Sequence, residues 1–380
     1  MIKTVGVILP YAECYDSHFG GAIARWVYEV NSRVKDNIRF NIYSASEHNN
    51  YNSDEVKISY YGKYCNIIKE LERKYAKNRV LNGVLYQVKR YSCRDLFWII
   101  SIFNSIKYDD IIVVHNRPKA PYLLRMLGYN GRIILHMHNS HIYNCDSKSV
   151  DNLSTSVDLI LFCSKFLKNE TLSKFPKLEA LCEVIYNGVS DDIINSKFGR
   201  KEKIILFAGR IIESKGVIEL INAFDIFRRN TGEYKLQIVG GVNSGSSNQR
   251  TSYLIAVENE INKSLFKEDI EFLGYLDHDQ LLKKMSQSEI LAVPSKWKEP
   301  FGMVALEGFV NNCKVIATSD GGMSEILGEL GFYCDCNPLS IAQAIDCAVK
   351  SEHYNSIGYD NFFWKKISKD FQILLEKNHE

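Results

Sequence analysis

The chain has 380 residues, of which 46% are hydrophobic and 24% are charged, and its formal net charge is +2. This length suggests two or three domains, and the composition is that of a globular protein. The nearly neutral charge argues against a nucleic-acid partner, and the longest apolar stretch, residues 96–103, is far too short to span a bilayer.

The ten cysteines are scattered along the chain, and none of them forms a CxxC pair with the spacing of a zinc site. The first apolar run is short and ends at Pro10, which is more typical of a first strand than of the hydrophobic part of a secretory signal. We therefore expect free thiols in a reducing compartment, and a location in the cytoplasm.

The first half of the chain alternates short apolar strands with helices. Residues 4–9 form a β-branched apolar run that is typical of a buried parallel strand. The glycine pair Gly20-Gly21 and a helix over residues 22–32 follow. Three further strands are predicted, at residues 111–114, 133–135 and 159–163. Ser164 is predicted to cap the helix that comes after the last of them.

The same alternation starts again in the second half. Strands are predicted at residues 203–208, 236–239, 270–273, 290–293 and 314–318. This pattern indicates parallel sheets covered by helices, once in each half. The turn dipeptide Asn187-Gly188 separates the halves. The predicted organisation is a domain over residues 1–186, a domain over residues 187–358, and a segment 359–380 whose amphipathic helix, at 361–377, packs back on the first domain.

Residues 294–307, PSKWKEPFGMVALE, are rich in functional side chains and follow a predicted strand. Glu299 would lie in the loop after that strand, and Glu307 inside the next helix. The start of such a helix offers free N–H groups to an anion. By themselves, two glutamates at this spacing are more often solvated surface carboxylates.

Residues 207–215, FAGRIIESK, place Arg210 and Lys215 after another strand end. Two fixed cations at such an edge suit a diphosphate, since arginine offers a fork of donors and lysine a point charge. The alternative interpretation is that Arg210 and Lys215 only form salt bridges at the surface.

Taken together and in order, these motifs resemble those of the retaining family 4 glycosyltransferases. The matching segments are Gly20-Gly21, Asn187-Gly188-Val189, Ala208-Gly209-Arg210 with Lys215-Gly216, Gly274-Tyr275-Leu276, Glu299-Pro300-Phe301-Gly302 through Glu307, Gly321-Gly322 with Glu325, and Trp364. The resemblance covers nearly the whole chain and implies the GT-B fold. In this α/β fold, two Rossmann-like doubly wound domains face a central cleft, the first binding the acceptor and the second the nucleotide sugar. Segments 136–139, 163–167 and 207–216 look closest to lipopolysaccharide-core N-acetylglucosaminyl or hexosyl transferases.

The resemblance implies catalytic roles for Arg210, Lys215, Glu299 and His138. The two cations would hold the donor diphosphate and stabilise the charge that grows as it leaves. Glu299 would orient the donor sugar, and His138 would lie near its anomeric carbon. The donor-binding residues implied in the same way are Gly20, Gly21, Gly274, Tyr275, Leu276, Phe301, Gly302, Met303, Val304 and Glu307.

Other histidines compete with His138 for a place in the site. His136 is the rival, because it alternates with His138 along a strand and would share its face. His18, His115 and His141 are weaker candidates. Any of them can also be a hydrogen-bonded structural histidine.

The implied reaction is transfer of a sugar from UDP-N-acetylglucosamine or another UDP-hexose to a glycan or glycolipid, in the synthesis of lipopolysaccharide core or another cell-surface polysaccharide. The resemblance implies front-face substitution with retention, without a covalent nucleophile. No DxD motif stands at a plausible strand end, so we expect neither a metal nor another cofactor.

Segment 57–107 contains eleven Lys or Arg residues and three acidic ones, a local balance of +8 in a nearly neutral chain. Tyrosines and Trp98 are interleaved with them. Such a segment suits an anionic glycolipid or membrane surface, although a solvated pair of helices would have the same composition. It favours peripheral association with the inner face of the cytoplasmic membrane.

The alternatives to glycosyl transfer are an epimerase, a non-catalytic homologue, a phosphorylase and a dehydrogenase. A nucleotide-sugar epimerase of GT-B fold would need no acceptor, and a non-catalytic nucleotide-sugar-binding homologue need not keep Arg210, Lys215, Glu299 and Glu307 together. A phosphorylase would need a lysine that carries pyridoxal phosphate, and nothing in the sequence supports one. A dehydrogenase would need a GxGxxG fingerprint, which is missing after the first strand.

Overall fold

The computed structural model describes residues 3–10, 13–16, 21–34, 37–44, 57–60, 93–191, 200–231, 233–242, 250–352 and 359–377. The chain divides into two compact units. The first consists of Met1–Tyr186 and Lys365–Glu380, and the second of Asn187–Trp364. The C-terminal segment therefore returns to the first unit at residue 365 rather than at 359.

The first unit contains a seven-stranded sheet in the order β3-β2-β1-β4-β5-β6-β7. Every neighbouring pair is parallel. The strands are β1 Lys3–Ile8, β2 Ile38–Ser44, β3 Lys57–Tyr60, β4 Ile111–His115, β5 Arg132–Met137, β6 Leu159–Phe162 and β7 Cys182–Val184. The four strands predicted in this half are confirmed, and they are the apolar ones that neighbours cover on both sides. The three that were missed lie at or next to an edge of the sheet.

Six helices belong to the first unit within the described residues. They are α1 Ala22–Asn31, α2 Cys93–Ile106, α3 Ala120–Met126, α4 Ser147–Ser154, α5 Lys165–Lys174 and, from the C-terminal segment, α12 Trp364–Glu376. Ser164 caps α5, because its side chain accepts a hydrogen bond from Leu167 N at 3.0 Å. This confirms the predicted cap.

Helix α12 packs on the first unit through apolar and polar contacts. Phe371 meets the ring of Trp26 edge-on at 5.1 Å between centroids. Arg132 donates from Nη1 to the carbonyl of Leu374 at 2.7 Å. The helix begins at Trp364, not at residue 361 as predicted, so Phe362 lies before it in a 3₁₀ turn.

The second unit contains a six-stranded parallel sheet in the order β10-β9-β8-β11-β12-β13. The strands are β8 Glu202–Ala208, β9 Lys235–Val239, β10 Ile270–Gly274, β11 Ser288–Val293, β12 Lys314–Thr318 and β13 Phe332–Cys334. The helices are α6 Val217–Arg228, α7 Ser252–Lys263, α8 His278–Gln287, α9 Met303–Val310, α10 Met323–Leu327 and α11 Pro338–Lys350. The five predicted strands are confirmed, and only the three-residue edge strand was missed.

The strand orders fix where a ligand can enter each unit. The direction of winding reverses between β1 and β4 in the first sheet and between β8 and β11 in the second. Loops that leave such neighbouring strands diverge, and the crevice between them is where open α/β sheets bind ligands. None of the described helices is long and apolar enough to cross a membrane.

Candidate functional site

The loop after β8 is fixed against the loop after β11 in the second unit. Gly216 ends a 3₁₀ turn that carries Lys215, and its φ of 72° is in the left-handed region. A Cβ atom at Gly216 would lie 2.1 Å from the carbonyl oxygen of Pro294. Lys296 N donates to Ser214 O at 2.9 Å. The two loops of the switch point are therefore in direct contact.

Lys215 and Glu299 form an ion pair at this point of contact, with side chains that are 17% and 10% exposed. The Glu299 oxygen in the pair, Oε1, accepts two more hydrogen bonds, from Ser295 Oγ at 2.7 Å and from Trp297 Nε1 at 2.9 Å. The Lys215 ammonium also lies 5.4 Å from the ring centre of Trp297. One cation, one carboxylate and one indole thus form a single cluster.

A pair of glycines supports the backbone of Glu299. Gly322 N donates to Glu299 O at 2.7 Å, and Gly321 pairs with Glu299 as an isolated β-bridge. Gly321 has a φ of 119°, and a Cβ there would lie 2.6 Å from Glu299 O. The loop after β12 can approach this closely only because it carries no side chains there.

Arg210 follows the same strand as Lys215 but has a different environment. Its side chain is exposed, and within the described part of the chain it makes no ion pair. Glu307 lies inside α9 and is buried, and His278 Nδ1 stands 3.9 Å from its Oε1. Glu299 precedes α9, as the sequence predicts, so the two glutamates flank the start of that helix.

The remaining residues predicted to bind the donor lie in two loops of the second unit. Gly274 ends β10 with a φ of 68°, next to the exposed Tyr275 and the half-buried Leu276. Gly302 caps α9 with a φ of 100°, and Met303 and Val304 are half-buried in its first turn. The side chain of Phe301 is buried and packs against Phe362 at 6.1 Å between centroids.

In the first unit, the start of α1 is occupied by a side chain of the chain itself. Glu13 Oε1 accepts a hydrogen bond from Ala24 N at 3.1 Å, and its carboxylate also takes the N–H groups of Gly21 and Ile23. Burial raises the pKa of this carboxyl group, while these backbone donors lower it in part. Gly20 and His18 lie outside the described residues.

Three histidines cluster at the ends of β4 and β5. His115 and His136 are buried, and His138 is half-buried. His115 Nδ1 lies 3.1 Å from His138 Nε2, and the rings of His136 and His138 are 4.0 Å apart. Burial lowers the pKa of His115 and of His136 well below 6.5, and His138 lowers both further. The two buried imidazoles are therefore neutral at physiological pH.

This cluster is the one group among the described residues whose atoms could hold a metal ion. One nitrogen of each imidazole lies within 4.8 Å of the others. Three neutral imidazoles with an open fourth position can bind zinc. His136 has no hydrogen-bond acceptor for either ring nitrogen within the described chain, so it lacks the outer partner that usually orients a metal-binding histidine.

Sequence reasoning missed several residues that the structure brings together with the predicted ones. Trp297 and Ser295 lie in the segment 294–307, but no sequence pattern indicates that they donate hydrogen bonds to Glu299. Asn116 accepts a hydrogen bond from His138 N at 2.7 Å. The sequence does contain a signal for Asn116, because a His-Asn dipeptide stands at the ends of two neighbouring strands. These dipeptides are His115-Asn116 and His138-Asn139.

Comparisons with known proteins agree with this architecture. The family model of the glycosyl transferases group 1 matches residues 190–361. The chain is 24% identical over 370 residues to a lipopolysaccharide 1,2-N-acetylglucosaminetransferase of Salmonella typhimurium, a match that covers 93% of each protein. It is 29% identical over 324 residues to an uncharacterized glycosyltransferase of Methanocaldococcus jannaschii, which covers 73% of this chain and 78% of that one.

Solved structures show the same fold. HepE of Anabaena, in complex with UDP and glucose, aligns with a TM-score of 0.70 at 16% identity over 100% of both chains. The trehalose-6-phosphate synthase OtsA aligns with a TM-score of 0.72 at 15% identity over 99% of both. The narrower assignment to family 4 stays a prediction. Residues 190–361 form a glycosyltransferase group 1 domain, and the chain is a glycosyltransferase with the GT-B fold.

Proposed function

We propose that the chain is a retaining glycosyltransferase that uses UDP-N-acetylglucosamine, or another UDP-hexose, as donor. Its acceptor would be a glycan or glycolipid of lipopolysaccharide core or of another cell-surface polysaccharide. The name of the Salmonella relative supports the sugar and the acceptor, and the UDP in the HepE complex supports the nucleotide. The observation that carries the proposal is the Lys215–Glu299 pair at the switch point of the second sheet.

Donor binding would replace Glu299 by the diphosphate as the partner of Lys215. Phosphate oxygens form strong charge-assisted hydrogen bonds with an ammonium group, so a diphosphate would compete with Glu299 for Lys215. The carboxylate would keep its bonds from Ser295 and Trp297 and could accept a hydroxyl of the donor sugar. The exposed Arg210 would bind the diphosphate from the same loop, and Glu307 would accept the ribose hydroxyls.

The reaction would follow a front-face course. The acceptor hydroxyl attacks the anomeric carbon on the face from which the diphosphate leaves, so the new bond keeps the configuration of the old one. The bond between the anomeric carbon and the phosphate oxygen breaks, and the diphosphate takes both electrons. It also takes the proton of the acceptor hydroxyl. Arg210 and Lys215 stabilise the charge that develops on the diphosphate. His138 would contact a hydroxyl of the donor sugar or the charge that develops at the anomeric carbon. We propose that no metal takes part.

The test is a thermal-shift screen of the full chain against UDP, GDP, ADP and their sugars, in the presence of EDTA. A nucleotide at 100 times its dissociation constant stabilises a protein by about 2.7 kcal/mol. We expect a shift with UDP species that Lys215→Ala removes. The matched control is Lys203→Ala, which removes only a surface ion pair of the same unit. No shift with any nucleotide would refute the proposal.

A shift with GDP or ADP species alone would refute the proposed donor but not the transfer. Loss of activity in EDTA, restored by a divalent ion, would refute metal independence. Product analysis decides the anomeric configuration, and inversion would refute the front-face course.

We further propose peripheral association with the inner face of the cytoplasmic membrane through the basic segment 57–107. Of that segment the structure describes only residues 57–60 and 93–107, so its charge of +8 is the support. Sedimentation with anionic phospholipid vesicles, but not with neutral ones, is the expected result. Equal recovery with both kinds of vesicle would refute the association.

A further inference from the structure

A cavity of about 580 Å³ lies in the first unit, at the switch point of its sheet. Pro10 and Glu13 line it after β1, Asn116, Arg117 and Lys119 after β4, and Asn139 after β5. The volume is in the range of pockets that bind small molecules. Its walls are the divergent loops at which such sheets take ligands.

Asn116 has a left-handed backbone conformation, which asparagine tolerates better than most residues. Its φ of 53° is in the left-handed region, which a residue other than glycine adopts at a cost of about 1 kcal/mol and which is enriched at functional sites. The carboxamide oxygen is used, because it accepts the N–H of His138 at 2.7 Å. The group that Asn116 has left to offer at the cavity is its NH₂ donor.

Asn139 offers the complementary group. Its Oδ1 atom is buried and has no hydrogen-bond partner within the described chain, although the residue lines the cavity. A buried acceptor without a donor costs about 1–3 kcal/mol, and such an atom is expected to be satisfied by water or by a ligand. A rotation of the Asn139 side chain would present this oxygen to a sugar hydroxyl in the cavity. The two carboxamides together thus provide both kinds of group that a saccharide needs.

Among the described residues of the cavity wall, cations outnumber acidic groups. Arg117 and Lys119 contribute two cations to its wall. The acidic residue on the wall, Glu13, is already engaged, because its carboxylate accepts the backbone N–H groups at the start of α1. An anion entering the cavity would therefore meet two cations, and a carboxylate whose charge lies against the positive end of a helix.

We propose that this cavity binds an acidic sugar of the acceptor, with its phosphate or carboxylate group on Arg117 and Lys119 and its hydroxyls on Asn116 and Asn139. The inference rests on the proposed glycosyl transfer and names the chemical class of its acceptor. Arginine binds either anion through two parallel hydrogen bonds, and lysine adds a point charge. A neutral sugar would make only the carboxamide contacts.

The experiment measures binding of glucose, glucose 6-phosphate and glucuronate to the full chain by ligand-observed NMR at millimolar concentration. We expect at least one acidic sugar to bind ten times more tightly than glucose, and the better of the two identifies phosphate or carboxylate as the recognised group. Arg117→Gln should reduce that preference to less than about threefold, or roughly 0.6 kcal/mol. Arg39→Gln, at an exposed arginine of β2, should leave it unchanged.

Asn139→Asp is a second variant that conserves size and adds a negative charge to the wall. It should abolish binding of the acidic sugars in protein whose cooperative melting shows that it is folded, even if Arg117→Gln fails to fold. Three results would overturn the inference: no binding of any probe, equal binding of glucose and both acids, or a preference that Asn139→Asp leaves intact. UDP binding in the same samples separates the two proposals. UDP binding without acid preference refutes only this inference, and acid preference without nucleotide binding refutes only the donor proposal.

Discussion

The indole nitrogen of Trp297 lies 2.9 Å from Glu299 Oε1, the carboxylate oxygen that also pairs with Lys215. The indole N–H and the ammonium therefore bind the same carboxylate oxygen. If a donor diphosphate takes Lys215 away, Trp297 and Ser295 remain to keep Glu299 in place. Trp297 is a positioning residue in this view.

Trp297→Phe removes the N–H donor and keeps an aromatic ring. A hydrogen bond to a charged group contributes about 1.5–3 kcal/mol, so we expect kcat/KM for the donor to fall by about tenfold or more. The loss should appear mainly in kcat, because a misplaced Glu299 disturbs the orientation of the reacting sugar. Tyr333→Phe, which removes one hydrogen bond elsewhere in the unit, is the control. Unchanged kinetics in Trp297→Phe would contradict the assigned role.

Gly216→Ala should separate the two loops of the second switch point. The new Cβ would meet the Pro294 oxygen at 2.1 Å in a left-handed backbone, so we expect a loss of stability above about 2 kcal/mol and weaker UDP binding. Gly328→Ala is the matched control, because Gly328 also has a positive φ but nothing within 4 Å of its Cβ position. Melting curves with and without UDP compare the nucleotide binding of the two variants, which the strained backbone at Gly328 should leave unchanged and the clash at Gly216 should weaken. Equal effects would show that the loop contact is unimportant.

The buried histidines should make the first unit sensitive to acid. The folded chain holds His115 and His136 neutral, with pKa values well below 6.5, whereas the unfolded chain protonates them. The free energy of unfolding should therefore decrease as the pH falls below about 6.5, by up to about 1.4 kcal/mol per pH unit for each histidine. His136→Leu should make this decrease less steep, and His141→Leu, at an exposed position, should not. Urea titrations between pH 5 and 7.5 measure the slopes, and identical slopes would contradict the expectation.

Phe371→Ala should destabilise the first unit, although Phe371 is far in sequence from the rest of that unit. Phe371 is buried against Trp26, and removal of a buried phenylalanine side chain costs about 3–5 kcal/mol. The melting temperature should drop clearly, whereas Ile373→Ala, at a half-exposed position of the same helix, should change it little. Similar drops in both variants would contradict the packing role of Phe371, since alanine favours the helix at both positions.

The central strands and their order along the chain could be predicted because a parallel strand covered on both faces is a continuous apolar run. Ile38–Ser44 was missed because Arg39 and Asn41 interrupt its apolar residues, as is usual near an edge. The positions of Glu299 and Glu307 relative to α9 were also predictable, since a strand end followed by a glycine and an apolar helix sets them. The partners of Glu299 were not, because Lys215 is 84 positions away and only the strand order brings it near.

The start of α1 shows what the glycine motif alone could not indicate. The sequence predicts that Gly20 and Gly21 leave room for a phosphate, but the backbone donors at this helix start already serve Glu13. The side chain of Glu13 is therefore an intramolecular counter-ion for the start of α1. A ligand that used the same donors would have to displace a tethered carboxylate of high local concentration, and its binding would improve in a Glu13→Gln variant. In the natural chain, Glu13 therefore disfavours binding of free phosphate at the start of α1. It also keeps the N–H groups there hydrogen-bonded when no substrate is bound.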